Sequence, residues 1–303
     1  MPFKSGFVAI VGLPNAGKST LVNTLVGRKV AIVSPKPQTT RNRIQGILNR
    51  EDSQIVLIDT PGIHKPENAL GRLMIDELQH ALEGVDILSL IVDASVDARR
   101  NGRFPHEWVR RFRGPVFLLL NKVDRIKKPL LLPMIDRRRR EFDFADIFPV
   151  SALTGEGCLD LMKGWLARLP EAPRYFPADQ FTDQPERFQA AELIRDNAIL
   201  ATREEVPYAI AVLVDRFEEG KDMLRIRATI YAEREGQKGI LIGKGGETIK
   251  RIGTLARKDL ESILAAHVFL DLFVKVQPNW RGNPSIVRHL DWRRQIERLG
   301  EPE

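Results

Sequence analysis

Cysteine is nearly missing from this 303-residue chain. The single Cys158 has no intramolecular partner, which excludes a disulfide framework and suits a reducing compartment. Five histidines are dispersed along the sequence, so no group of them offers metal-ligand spacing. No apolar run approaches the ~18 residues needed to cross a bilayer. The apolar stretch between Met1 and Val11 is too short for the core of a secretory leader, and the reading is a cytoplasmic protein. Acidic residues are in deficit as well: 47 Lys and Arg face 40 Asp and Glu, a formal net charge of +7. That balance is compatible with a polyanionic partner, either nucleic acid or an acidic membrane face.

What is present suits two globular domains, with 43% hydrophobic residues spread over a chain long enough for two cores. Short apolar runs at 7–11, 55–58, 87–92, 116–120 and 148–150 read as buried strands. Between them lie stretches of helical spacing, such as Leu21, Leu25 and Val26, or Leu73, Ile75, Leu78 and Leu82. Strands alternating with helices that cover both faces make a doubly wound α/β domain, placed at 1–169. Pro170, Pro173, Pro177 and Pro185 then mark a linker at 170–188. The remainder, 189–303, reads as a small α+β domain. Its predicted order is a helix at 190–201, strands at 208–216 and 223–232, helices at 247–252 and 255–265, and a strand at 269–276. An amphipathic stretch at 286–299 is expected to dock as a last helix.

The segment Gly12-Leu13-Pro14-Asn15-Ala16-Gly17-Lys18-Ser19 follows a strand and opens a helix, and it fits G-x-x-x-x-G-K-[ST]. Glycines let backbone N–H groups wrap a phosphate, and the helix N-terminus adds positive potential. Lys18 is expected on the β- and γ-phosphates, and Ser19 on Mg²⁺ through its hydroxyl. Asp59-Thr60-Pro61-Gly62 ends a strand, where Asp59 should hold Mg²⁺ through water and the Gly62 N–H should meet the γ-phosphate. Asn121-Lys122-Val123-Asp124 chooses the base. The Asp124 carboxylate can accept from guanine's ring N–H and amine, which adenine does not match. Lys122 can lay its stem on the base, Asn121 can bridge to the phosphate loop, and Ser151-Ala152-Leu153 can offer a backbone N–H to the guanine oxygen. In Gln38-Thr39-Thr40-Arg41, Thr40 is the expected sensor of Mg²⁺ and γ-phosphate. The ligands implied are GTP and GDP with Mg²⁺.

In the second domain, Gly243-Lys244-Gly245-Gly246 supplies a GxxG loop. The surrounding element order is that of a type II KH domain, whose loop clamps a single-stranded nucleic-acid backbone. Ile242 and Ile249 are expected to floor the groove, and Lys244 and Lys250 to add charge, with Arg225, Arg227, Lys238, Arg251, Arg257 and Lys258 in support. Trp280 and Trp292 read as core-docking residues rather than stacking ones. The run Arg137 to Arg140 reads as a solvated helix face, and Cys158 as a small apolar filler. His64 is equally open to a surface role or a contact with nucleotide or partner.

Together G-x-P-N-A-G-K-S-T-L-V-N, K-P-Q-T-T-R, D-T-P-G-I-H-K-P and N-K-V-D resemble the Era family of bacterial ribosome-assembly GTPases, and the likeness spans nearly the whole chain. The resemblance implies a P-loop GTPase domain with a doubly wound mixed sheet, followed by a type II KH domain. It implies binding of 16S rRNA near its 3′ end and action in 30S subunit biogenesis. The expected protein is a monomer, and its basic surface would allow loose association with acidic lipid on the inner membrane face. Ile63 stands where Ras-type GTPases carry the Gln that orients water, so hydrolysis needs other help. Related enzymes with Asn in the phosphate loop use it for K⁺. Asn15 is that residue here, with simple bracing of the loop as the alternative. Leu13 departs from the Arg frequent in the family, which touches only peripheral contacts. The competing functional reading is a KH RNA-binding protein whose nucleotide domain is purely structural.

Overall fold

The computed structural model describes residues 2–34, 39–63, 65–96, 106–202 and 206–289. Gln38, His64, Trp292 and the end of the expected last helix lie outside the described residues. The chain divides into two compact units, one of 1–65 and 74–183, the other of 66–73 and 184–303.

The first unit is built on a six-stranded sheet of order β2-β3-β1-β4-β5-β6. Its strands are β1 (Lys4–Val11), β2 (Ile44–Asn49), β3 (Ser53–Asp59), β4 (Ile87–Asp93), β5 (Val116–Asn121) and β6 (Asp146–Val150). Helices α1 (Lys18–Val26), α2 (Ala69–Ala81, of this unit from Met74 onward), α3 (His106–Arg111), α4 (Leu131–Glu141) and α5 (Cys158–Arg168) intervene. Alternation within β1 explains the two-sided core. Val8 and Ile10 join Leu21, Phe117 and Trp165 in one cluster, while Ala9 and Val11 join Leu78, Leu90 and Leu118 in another. Each fully buried Leu, Ile or Phe contributes ~1.5–3 kcal/mol, so these strands read as unbroken apolar runs. Cys158 is buried in the first cluster, as expected of an apolar filler, and burial raises its thiol pKa.

One strand was not expected. The polar Gln45 and Asn49 and the small Gly46 hide β2, yet Ile44 and Ile47 are buried. It pairs antiparallel to β3, with Gly46 opposite Leu57, and makes an otherwise parallel sheet mixed. Gly46 is needed there because a Cβ would press on Val22 at 2.7 Å and Val26 at 3.0 Å of α1.

The stretch 170–183, expected within a linker, lies along this unit as a strap. Ser5 N–H donates to Pro170 O at 3.2 Å, and Ile47 N–H to Phe181 O at 2.9 Å. Gln54 Oε1 accepts from the N–H groups of Tyr175 and Phe176. The Arg28 guanidinium lies 4.6 Å from the centre of the Phe181 ring. The strap covers the open edge of β2, which would otherwise be available to another chain.

The second unit has a three-stranded sheet, with β7 (Ala211–Glu219) antiparallel and β9 (Val268–Val276) parallel to the central β8 (Leu224–Ala232). Helices α6 (Glu186–Ala201), α7 (Val206–Ala209), α8 (Glu235–Ile242), α9 (Glu247–Leu264) and α10 (Pro284–His289) complete it. Three expectations need correction. Helix α6 starts inside the supposed linker, α7 takes the start of the strand expected at 208–216, which begins only at Ala211, and the two helices expected at 247–252 and 255–265 are one. The apolar run before the GxxG loop, open in the sequence to helix or strand, is helix α8. Helix α9 runs through Gly253 because Ile252, Ala256 and Leu260, spaced by four, all lie in the core. Trp280 is fully buried and donates its indole N–H to Ala209 O at 2.8 Å, a core role.

Candidate nucleotide site and nucleic-acid loop

The carboxyl ends of β1, β3, β4, β5 and β6 lie at one edge of the sheet, where open α/β folds bind ligands. Between β1 and α1 the chain makes a tight loop, with Asn15 (φ 62°) and Gly17 (φ 103°) in the left-handed region. Gly12 packs on the Ile91 carbonyl and Gly17 on the Asn121 side chain so closely that a Cβ would collide at either. Lys18 is buried inside the loop, its Nζ donating to Gly12 O at 3.1 Å and Leu13 O at 3.0 Å. Burial lowers its pKa to about 8, against the upward pull of Asp59.

Beneath the loop three oxygen-bearing side chains converge. Ser19 Oγ donates to Asp59 Oδ2 at 2.6 Å and lies 2.9 Å from Thr40 Oγ1, which reaches the same carboxylate oxygen at 3.4 Å. Asp59 Oδ1 is buried without a hydrogen-bond partner among the described residues. Burial pushes this carboxyl up to about 6, although Lys18, Ser19, Thr40 and the Thr60 N–H all pull it down. Two hydroxyls and an undercompensated buried carboxylate form a hard-oxygen set that fits Mg²⁺. Thr40, not Thr39, makes this contact.

The following loop closes over the phosphate cradle. Thr60 Oγ1 donates to Ile10 O at 2.8 Å, and Ile63 N–H donates to Gly12 O at 3.2 Å. Gly62 approaches Pro14 so nearly that a Cβ would lie 2.8 Å from its ring. The Ile63 side chain packs on the apolar cluster and carries no group that could orient water.

Asn121 ties the base side to the phosphate side. Its Nδ2 donates to Ala16 O at 2.7 Å, and its Oδ1 accepts from Ala152 N–H at 2.9 Å. Lys122 turns the backbone at φ 67°, and its Nζ meets Asp93 Oδ2 at 2.6 Å. Val123 is buried below, and Asp124 is exposed on the pocket wall. Ser151 N–H is engaged by Glu156 O, and Ala152 N–H by Asn121, which leaves Leu153 best placed of the three to donate.

A pocket of about 410 Å³ brings together Pro14, Asn15, Gly17, Lys18, Ser19, Thr40, Gly62, Asn121, Lys122, Asp124, Ala152 and Leu153. Gly12, Leu13, Ala16, Asp59, Thr60, Pro61, Ile63, Val123 and Ser151 do not line it and act from behind. Sequence reasoning missed Ile32, Val33, Ser34, Thr20 and Arg125 on its wall, and Thr39, set aside in favour of Thr40, lines it as well. Asn23 could have signalled the first three. It brackets the preceding residues, accepting from the N–H groups of Val30 and Ala31 and donating to Ala31 O. An Asn inside a helix is poor for propensity and usually has such a reason.

In the second unit, Gly243 to Gly246 join α8 to α9. Gly243 (φ 75°), Gly245 (φ 61°) and Gly246 (φ 81°) all take positive φ, and a Cβ on Gly243 would collide with Thr248. Lys244 and Lys250 are exposed, Ile242 is half-buried, and Ile249 packs against the core. In α4, Arg137, Arg139 and Arg140 are exposed, but Arg138 is buried and pairs with Glu141, so the expected solvated face holds for three of the four. Among the described residues no group of His, Cys, Asp and Glu has the makings of a separate metal cluster.

Comparison with known proteins agrees with this geometry. The 50S ribosome-binding GTPase family matches residues 7–122, and the KH domain family matches 205–281. GTPase Era of Staphylococcus epidermidis is 45% identical over 293 residues, 95% of this chain and 97% of that one. A crystal structure of Era in complex with MgGDPNP and nucleotides 1506-1542 of 16S ribosomal RNA is similar at a TM-score of 0.91 and 41% identity, covering 96% of this chain and 99% of that chain. A substituted Aquifex aeolicus Era bound to GDP·AlF4⁻ gives a TM-score of 0.91 at 42% identity, with the same coverage.

Proposed function

The chain belongs to the Era family of GTPases, and from that premise we propose that it couples GTP hydrolysis to a grip on 16S rRNA near its 3′ end during 30S subunit assembly. The observation that carries the hydrolytic half is the convergence of Ser19, Thr40 and Asp59 beside Lys18. Lys18 turns from the loop carbonyls onto the β- and γ-phosphates. Ser19, Thr40 and Asp59 hold Mg²⁺, which screens phosphate charge when bound. Gly62 N–H contacts the γ-phosphate, and Asp124 with Leu153 N–H reads guanine. Since Ile63 cannot place the attacking water, intrinsic turnover is slow, and Asn15 is assigned to K⁺. Equal turnover in K⁺ and Na⁺ buffers would refute that assignment.

The RNA half rests on the exposed GxxG loop and on the Era complex that holds an rRNA fragment. The protein is assigned to the cytoplasm as a monomer, with basic faces allowing loose contact with acidic lipid. No described helix is long and apolar enough to cross a membrane. The test pairs Lys244→Asp with Gly245→Asp in the full-length chain and titrates a labelled oligonucleotide of the 16S 3′ end. RNA affinity is expected to fall at least ~10-fold while GTP turnover persists, because a carboxylate pair repels the phosphate backbone. Retained affinity would remove the loop from the RNA contact. A Lys18→Ala chain that supported normal assembly would favour a purely structural nucleotide domain.

A further inference from the structure

Asp93 has no part in the nucleotide motifs, yet it is built into the site. It is the last residue of β4, and the β4–β5 register sets it directly beside Asn121. Ala94 N–H donates to Asn121 O at 2.8 Å, which fastens the two strand ends together at this point. The next residue of β5's exit, Lys122, bends the backbone into the left-handed region, where a residue with a side chain needs outside support. Its Nζ then meets Asp93 Oδ2 at 2.6 Å, and both side chains are largely buried. The other carboxylate oxygen is fixed as well, accepting from Ser95 N–H at 2.9 Å and Ser95 Oγ at 2.6 Å. The carboxylate is therefore held from two sides, and the lysine head is held by it.

We infer that Asp93 is a positioning residue of the guanine site: by capturing the Lys122 ammonium it stretches that side chain across the pocket wall, so the aliphatic stem lies against the base. This rests on the assignment of guanine to Asp124 and Lys122. The tether keeps Lys122 away from the phosphates, where Lys18 already serves. It also stabilises the left-handed turn that aims Asp124, two residues on, at the guanine edge. An untethered lysine would swing into solvent, uncover the base and loosen that turn. The consequence falls on nucleotide residence rather than on phosphate chemistry.

The test measures release of a fluorescent GDP from the full-length, Mg²⁺-loaded protein by stopped flow. Asp93→Asn is expected to speed release roughly tenfold, since loss of one partner of a desolvated charge pair acts on dissociation. Lys122→Met keeps a stem but has no head, and should give a similar factor. The double variant should release no faster than the faster single one, because both remove the same tether. In steady-state hydrolysis the loss should appear in KM and not in kcat. A role confined to packing of the strand end predicts factors that multiply in the double variant. Multiplying factors, or unchanged release in Asp93→Asn, would overturn the inference. Asp124→Asn is the control for guanine itself. It should exchange guanine for xanthine, whose 2-oxo group accepts from the new amide. If that exchange fails, the guanine assignment falls; if it succeeds while Asp93→Asn releases GDP normally, only the role of Asp93 falls.

Discussion

At the scale of single residues, the site keeps its charges under tension. Asp59 has its pKa raised from 3.8 to about 6 by burial, so the folded chain holds this proton after the unfolded chain has lost it. Stability contributed by the group therefore declines as pH rises from ~4 to ~6, by on the order of 3 kcal/mol for two pKa units. Urea denaturation of nucleotide-free protein across that window should show a shallower fall for Asp59→Asn than for the wild type. Identical slopes would mean that the carboxyl is not desolvated. Most of this site was legible residue by residue, because Lys18, Asp59 and Asp124 are fixed by ligand chemistry and keep characteristic spacings. Asp93 was not legible, because its importance depends on a strand register that juxtaposes it with Lys122. Ile32 to Ser34 were missed for a similar reason: their place on the wall depends on Asn23 holding Val30 and Ala31 from seven and eight residues back in the chain.

Among elements, α8 shows why sequence periodicity fails locally. Its eight residues include Gly236 and Gly239, which depress helix propensity, and its single fully buried anchor is Leu241. Tertiary packing overrides the propensity. A Cβ at Gly236 or Gly239 meets nothing within 4 Å, and neither residue needs positive φ. Gly236→Ala and Gly239→Ala should each stabilise the protein by ~0.5–1 kcal/mol. Gly243→Ala should instead destabilise by at least ~1 kcal/mol, since it combines positive φ with a collision at Thr248. Chemical denaturation of the three variants checks the contrast, and a stabilising Gly243→Ala would contradict the geometry of the loop. The same override hid β2, whose polar residues concealed two buried isoleucines, and fused two expected helices into α9.

For the whole molecule, two cores imply two cooperative transitions. The first core is assembled from the six-stranded sheet and the second from β7, β8, β9 and their helices. Nucleotide binds the native state of the first unit, and at one hundred times its Kd adds ~2.7 kcal/mol there. Calorimetry with Mg²⁺ and GDP should thus move one transition upward by several degrees and leave the other in place. Equal displacement of both would mean that the chain unfolds as one body. The division into two units was readable from composition and element order, but the proline-rich stretch was misleading. Prolines at 170, 173 and 177 do forbid a helix there, yet they permit an extended strap.

That strap has a mechanical meaning. Ile47 N–H is bonded to Phe181 O and Gln45 N–H to Asp183 Oδ1, so the last residues before the second unit are moored to β2. Strand β2 begins four residues after Thr40, the hydroxyl that stands over Ser19 and Asp59. A displacement of β2 along its axis carries the mooring with it. The segment that leads on to the second unit is thus tied by hydrogen bonds to the very strand into which Thr40 leads.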